Sequence, residues 1–371
     1  MSLGLREVSP DEVPDWDRRA VEGPGGDVYQ SLAWAAYRAR WGWRPRYLLF
    51  DDGFPLLSLE RPWPLVGGAG AYLSRGPVSG GEPAQRTAER LVAAADHLAR
   101  RGVDVVSSDA EIPAVSGYPA LIERGGFRPI EEVQPSRHRM RLPLAAADED
   151  ALFRGFGKSI RQRVRAAERA GLRVVRYDCR APAGSDEGLE APGGGLEGDV
   201  VRPVLARFHG LLEATAARRH FWLAGREAFL DWALAALGAG LLVYLEVRDP
   251  ADALIAGATF YRHGGRWTYS LSGDVVAERE RHPGGVPLVL WRAIQLARRE
   301  GCDEFDLAGV DVPGARREPR EGESMYGLYF FKRLFGAEWL ELTGNHERVH
   351  RPTRYLLGRV AGRVAGLGRA G

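Results

Sequence analysis

LARRGVDVV (residues 98–106) and LARREGCDEF (residues 296–305) can be laid over each other almost position for position. Each is the end of an amphipathic run, a glycine stop and a short β-rich stretch. Working outward, the match grows. Before the first stretch, YLLF and FPLLSLE flank Asp51-Asp52-Gly53 as a hairpin, and a third strand follows around Ala71-Tyr72-Leu73. A loop ending GGEP then opens AQRTAERLVAAADHLARRG, in which Ala88, Leu91, Val92, Ala95, Leu98 and Ala99 recur at helical spacing. Pro83 starts that helix and Gly102 stops it.

The second half replays the order. LLVYLEVRD turns through PAD into ALIAGATFY, and HGG leads to RWTYSLSGD. HPGGVP opens the helix LVLWRAIQLARREG, and CDEFDLAGVD is the closing strand. Beyond it, YPALIERGGFRPIE faces YGLYFFKRLFGAEWLE, with Lys332 opposite a slot filled around Glu123. An internal repeat on this scale means a duplicated unit. Mixed sheet, Gly-rich loop, then a helix crossing back to a strand describes an acetyltransferase-like (GNAT) α/β unit. The expected fold is therefore α/β, with mixed sheets in two tandem GNAT-like domains. Their expected bounds are 1–150 and 151–350, with helix 351–371 packed back on the first. The low-complexity stretch at 181–199 reads as a flexible surface insertion.

Composition narrows the class. With 371 residues, 45% of them hydrophobic, the chain can bury two sizeable cores. A net charge of +2 allows an anionic partner without demanding one. Cys179 and Cys302 stand apart and form no disulfide or metal pattern. The opening MSLGLREVSPDEV lacks a basic-then-apolar leader, and no apolar run approaches the roughly 20 residues of a membrane span, so a cytoplasmic protein is expected. HERVH at 346–350 matches the HExxH zinc pattern, but Gly344 before it and Pro352 after it leave no room for the helix such a site needs. No metal is expected.

Of 51 basic residues only Lys158 and Lys332 are lysine; the remaining 49 are arginine. A compact ammonium and a planar guanidinium are not interchangeable at a chemical site, so Lys332 marks a place to examine. Arg218 and Arg219, at the basic end of a helix read over 211–229, could hold phosphate or simply face solvent. Lys158, Arg161 and Arg165 lie on a basic helix that suits RNA phosphate or plain solvation. PGGVP, at a helix start, is either a turn or an anion-binding loop.

Taken in order, VYQSLAWAAYRARWGW, SSDAEIP, VQPSRHRMRLPL, IRQRVRAAERAGLRV, TAARRHF, FDLAGVD, LYFFKRLFGAEWLELTGN and PTRYLL resemble the FemABX-type peptidoglycan aminoacyltransferases over nearly the whole chain. The resemblance implies transfer of an amino acid from aminoacyl-tRNA to the stem-peptide amine of a UDP-linked or lipid-linked muramyl-pentapeptide, with no other cofactor. It places the family's Phe-Lys pair on Phe331 and Lys332. Arg218 falls on a precursor-binding arginine, with Arg219 one place along, and Tyr269 falls on the cleft strand. Trp34, Arg38 and Tyr72 are the implied precursor contacts of the first domain, Arg38 standing where a lysine is usual. Leu271 replaces an aromatic that relatives can carry, and the helical-hairpin arm of some relatives has no counterpart. The alternatives are an acyl-CoA-dependent N-acyltransferase and a non-catalytic binder of envelope precursors. The tail places Leu356, Leu357, Val360, Val364 and Leu367 on one helical face, expected to pack on the first domain; the other reading is a peripheral hold on the inner membrane face.

Overall fold

The computed structural model describes residues 3–131, 137–145, 148–181, 189–191, 196, 198–219, 222–310 and 317–364. Contacts divide the chain into two units. One holds Met1–Arg139, Gly309–Tyr326 and Trp339–Gly371; the other holds Met140–Ala308 and Gly327–Glu338.

In the first unit, β1 (Leu5–Glu7), α1 (Leu32–Arg40), β2 (Arg44–Phe50), β3 (Pro55–Pro62), β4 (Ala69–Leu73), α2 (Ala84–Arg100), β5 (Val103–Ser108), α3 (Tyr118–Arg124) and β6 (Arg128–Pro129) follow one another. The second unit continues with β7 (His138–Pro143), α4 (Glu149–Gly155), α5 (Lys158–Arg169), β8 (Arg173–Tyr177), α6 (Gly198–Arg219), α7 (Arg226–Gly238), β9 (Leu242–Arg248), β10 (Leu254–His263), β11 (Arg266–Asp274), α8 (Gly285–Arg299), β12 (Glu304–Asp306) and α9 (Tyr326–Arg333). The chain ends through β13 (Glu338–Glu341), β14 (His346–Val349) and α10 (Pro352–Val364).

The two sheets share one strand order. The first runs β1-β2-β3-β4-β5-β14-β6 and the second, read from its other edge, β8-β9-β10-β11-β12-β7-β13. Each repeat therefore gives its last strand away. β7 pairs antiparallel with β12, Phe305 opposite Leu142, while β14 slots between β5 and β6, His346 opposite both Ser108 and Pro129. This exchange moves the boundary from the expected 150/151 to 139/140 and assigns β14, expected in the second domain, to the first unit. The HERVH stretch is consequently extended strand, which cannot present two imidazoles on one helical face.

Burial follows the sequence periodicity. On α2, Ala88, Leu91, Ala95 and Leu98 pack against Leu48, Leu73 and Val106 of the sheet. Gly102, at φ +94°, turns the chain from helix into β5 in a conformation other residues rarely adopt. On α8, Leu288, Val289, Ile294 and Ala297 are buried, as are Val243, Phe260 and Trp267 of the sheet beneath.

Three further expectations change. The reading of one helix over 211–229 gives way to two, α6 ending at Arg219 and α7 beginning at Arg226. Most of the insertion at 181–199 lies outside the described residues, but Leu189 is buried and Glu190 bridges to Val175, so this part of it is anchored to β8. The tail helix meets its unit by the face opposite to the one expected. Arg351 and Arg354 bond Asp104, and Gly358 lies so close to Trp63 that a Cβ there would be 2.4 Å from the indole. Leu356, Leu357 and Val360 face solvent. Leu367 lies outside the described residues.

Candidate functional site

In the second unit, β11 and β12 pair in parallel only at Arg266–Glu304, Trp267–Phe305 and Thr268–Asp306. β12 then stops and β11 runs on to Asp274. Opposite Thr259 and Phe260 the β10–β11 register slips by one residue, a bulge at Ser270 that bends β11 where the pairing ends. Tyr269 sits at that point. Past that point β11 continues without β12 beside it.

Lys332, on α9, lies beside this parting. It is only 3% exposed, and its Nζ donates to the Ala308 carbonyl at 3.2 Å. The ammonium stands 5.9 Å from the centre of the Tyr269 ring, within cation–π range. Ala308 adopts φ +56°, its N–H donating to Asp306 at 2.8 Å, a conformation that turns its carbonyl toward Met140 N and Lys332. Burial raises the Tyr269 hydroxyl above its ordinary pKa, and that hydroxyl bonds Ser272. Phe331, half-buried, packs edge-on against Phe335 with centroids 5.4 Å apart, fixing the α9 turn that aims its neighbour.

Further along β11, Asp274 collects two arginines. Arg218 at the end of α6 reaches it at 3.3 Å and Arg279 at 2.7 Å. Arg218 is thus oriented by a carboxylate while Arg219 is exposed. At the start of α8, Asp274, Arg279, His282 and Gly285 line a small pocket. Gly285 spends its N–H on the His282 carbonyl and Pro287 has none, so the first turn offers a phosphate at most the Val286 amide.

On α5, Ile160, Val164 and Ala167 are buried, and Lys158 and Arg165 are exposed. Arg161 instead bonds the carbonyls of Arg154 and Phe156, closing the α4–α5 corner. It is structural.

The first unit has its own polar cluster. Tyr72 donates to Asp109 at 2.8 Å, and the Arg75 backbone N–H donates to the same carboxylate at 2.7 Å. Burial, then the Asp109 charge, raises the Tyr72 hydroxyl well above its usual value. On α1, Arg38 lies over Trp34 and Trp43, 5.2 and 4.7 Å from the ring centres, and Trp34 packs at a tilt against Tyr29 and Tyr37. Burial lowers the Arg38 pKa, and Tyr72 is among the groups acting on its charge. Trp34, Arg38 and Tyr72 therefore share one neighbourhood. Asp109, Arg75 and Asp274 were not singled out from sequence. Asp109 was visible only as part of SSDAEIP, and nothing local announces that Arg75 and Asp274 become the partners they are. Among the described residues no three His, Cys, Asp or Glu side chains come together as a metal site.

Residues 154–333 match the family model described as acetyltransferase (GNAT) domain. No curated protein matches the chain. Among solved structures, the crystal structure of FemX superposes with TM-score 0.75 at 17% identity, covering 95% of this chain and 99% of that one. L-PGS from Bacillus licheniformis gives 0.53 at 11%, covering 96% and 98%, and a conserved protein of unknown function from Bacteroides thetaiotaomicron gives 0.55 at 11%, covering 93% and 98%. With two seven-stranded sheets of one strand order and a GNAT segment ending at the helix of Lys332, the chain has the FemABX-type fold of two tandem GNAT-like units.

Proposed function

We propose that the protein transfers an amino acid from aminoacyl-tRNA to the stem-peptide amine of a muramyl-pentapeptide precursor. The observation that carries this reading is the buried ammonium of Lys332 at the parting of β11 and β12. An aminoacyl ester is already activated: the neutral amine forms a bond to its carbonyl carbon as the C=O electron pair moves onto oxygen. The oxyanion then re-forms the carbonyl and breaks the bond to the tRNA 3′ oxygen, and the proton lost by the amine nitrogen ends on that oxygen as a hydroxyl. A fixed positive charge, little screened by water, favours that oxyanion. Lys332 supplies it from a slender side chain that a guanidinium could not replace without rearrangement. Phe331 positions it. In the second unit Arg218, steered by Asp274, binds the precursor, with Arg219 the fallback; in the first unit Trp34, Arg38 and Tyr72 form a polar neighbourhood of their own that suits the same class of ligand. Exposed Lys158 and Arg165 are offered to tRNA phosphate, and Arg161 acts only by shaping that helix. No further cofactor is used.

Acyl-CoA is the weaker donor on physical grounds. The α8 start, where a pyrophosphate would rest, has Pro287 in its first turn and a carboxylate, Asp274, in the pocket. The deciding experiment incubates the purified protein with charged tRNA pools and with nucleotide-linked or lipid-linked muramyl-pentapeptide, following the mass of the acceptor. Transfer that persists without CoA is expected. Transfer that requires acyl-CoA overturns the proposal in favour of N-acylation, and binding of precursor with no transfer from either donor leaves a non-catalytic envelope protein.

A further inference from the structure

The tail helix α10 shows solvent its most apolar face. Leu356, Leu357 and Val360 are 62%, 55% and 61% exposed, although the same helix docks through Arg354 and Gly358, helped by Arg351 just before it. Spacings of three (Leu357 to Val360) and four (Leu356 to Val360) residues put the three aliphatics on one stripe. A second apolar projection lies on the loop against which α10 packs. There Trp63 meets Gly358 and Tyr355, and two residues on, Leu65 stands fully in water with its backbone at φ +62°. A leucine held in the left-handed region and pointed outward is costly on two counts, strain and exposure. The loop around it reads PWPLV, with no charged side chain.

Charge completes the picture. From residue 351 to the last residue there are five arginines and no carboxylate in the sequence. Two of the five, Arg351 and Arg354, are taken by Asp104. Arg359 lies against Tyr355, and Arg363 is exposed on the flank of the stripe. An aliphatic stripe bordered by arginines, on a helix lying along the surface, is the pattern of an interfacial helix. A protein partner fits less well, because four aliphatic side chains fall short of the roughly 800 Å² per partner of a stable complex.

We propose that α10 and the 62–66 loop rest on the surface of an anionic lipid bilayer, with Leu65, Leu356, Leu357 and Val360 in the headgroup boundary and Arg359 and Arg363 against lipid phosphate. The surface is independent of the transfer reaction, and its test reads no activity. The full chain is sedimented at low salt with vesicles of phosphatidylcholine alone and of equal parts phosphatidylcholine and phosphatidylglycerol. Binding to the mixed vesicles only is expected. The combined Leu65→Gln, Leu356→Gln and Leu357→Gln variant should lose about tenfold or more of that affinity. Arg359→Gln and Arg363→Gln should each cost about fivefold, an effect erased by high salt. All five positions are at least partly solvent-facing, so near-wild-type melting curves show that the variants are folded. Three results overturn the proposal: no binding to anionic vesicles, unchanged binding by the glutamine variant, and a dimer in solution that the glutamine variant dissociates, which would make a second copy the occupant.

Discussion

The two copies of the repeat differ most where their central parallel strands meet. In the first, β4 pairs with β5 from Ala69–Val103 through to Leu73–Ser108, so the sheet is closed along the whole of β4. In the second, β11 leaves β12 after Thr268–Asp306 and carries six more residues alone on that side. The helix that follows differs in step. Counting back four residues from the left-handed glycines Gly126 and Gly336, the same slot holds Ile122 in one copy and Lys332 in the other, 1% and 3% exposed. This moves the sequence overlay by one residue, from the neighbourhood of Glu123 to Ile122. A closed sheet over a buried isoleucine is a scaffold. A parted sheet over a buried ammonium is a place where chemistry can be done, because the charge is withdrawn from water beside backbone that β12 leaves unpaired.

Exchanging the two side chains tests that contrast most severely. Lys332→Ile should remove transfer by about 10²–10³-fold or more while the melting temperature stays near wild type, since the slot already accommodates isoleucine in the first copy. Lys332→Arg should also lose most transfer. Turnover like wild type in the arginine variant would remove the catalytic role assigned to the ammonium. Ile122→Lys should behave in the opposite way, losing about 3 kcal/mol or more of first-unit stability in chemical denaturation, because it puts a charge into the hydrophobic cluster beneath a sheet closed along β4.

A smaller effect separates the docking faces. Gly358→Val puts atoms into the Trp63 indole and should cost about 1–3 kcal/mol, read as loss of amide protection in α10 and β5 but not in β9 or β10. Arg218→Ala should raise KM for the precursor about tenfold with kcat less affected, since it removes a charged contact without touching Lys332 or its partners. An unchanged KM would shift the assignment to Arg219.

The smallest effect is one of pH. Burial, followed by Arg101 and Arg100 for His97 and by Arg348 for His350, holds these two histidines of the first unit below their ordinary 6.5. A depressed pKa means that the unfolded chain takes up protons first. The stability involved is therefore present above pH 6.5 and lost as the pH falls through the lowered values. Melting temperature should fall on acidification from about pH 7, and His97→Gln should make that slope shallower.

Much of this was legible beforehand because it depends on neighbours in sequence. Helices α2 and α8 declare themselves through apolar spacing, Pro83 and Gly102 mark the first one's ends, and Lys332 stands out in an arginine-rich chain. The face of α10 was misread for an instructive reason. Periodicity places Leu356, Leu357 and Val360 together, yet glycine and arginine, not leucine, win the contact, because only Gly358 admits the Trp63 ring and Asp104 takes Arg351 and Arg354.

The amino-acid sequence by itself determined that a unit of mixed strands and one long crossing helix occurs twice, since hydrophobic period and turn residues act over a few positions. Only the tertiary structure decided which sheet receives each repeat's last strand, where β11 parts from β12, and which residue shares Lys332's slot. Those outcomes depend on pairing between segments far apart in the chain: β14 with β5, and β7 with β12. Backbone hydrogen bonds that look alike in every strand carry no address in the local sequence, so the choice among partners is made by packing the whole sheet.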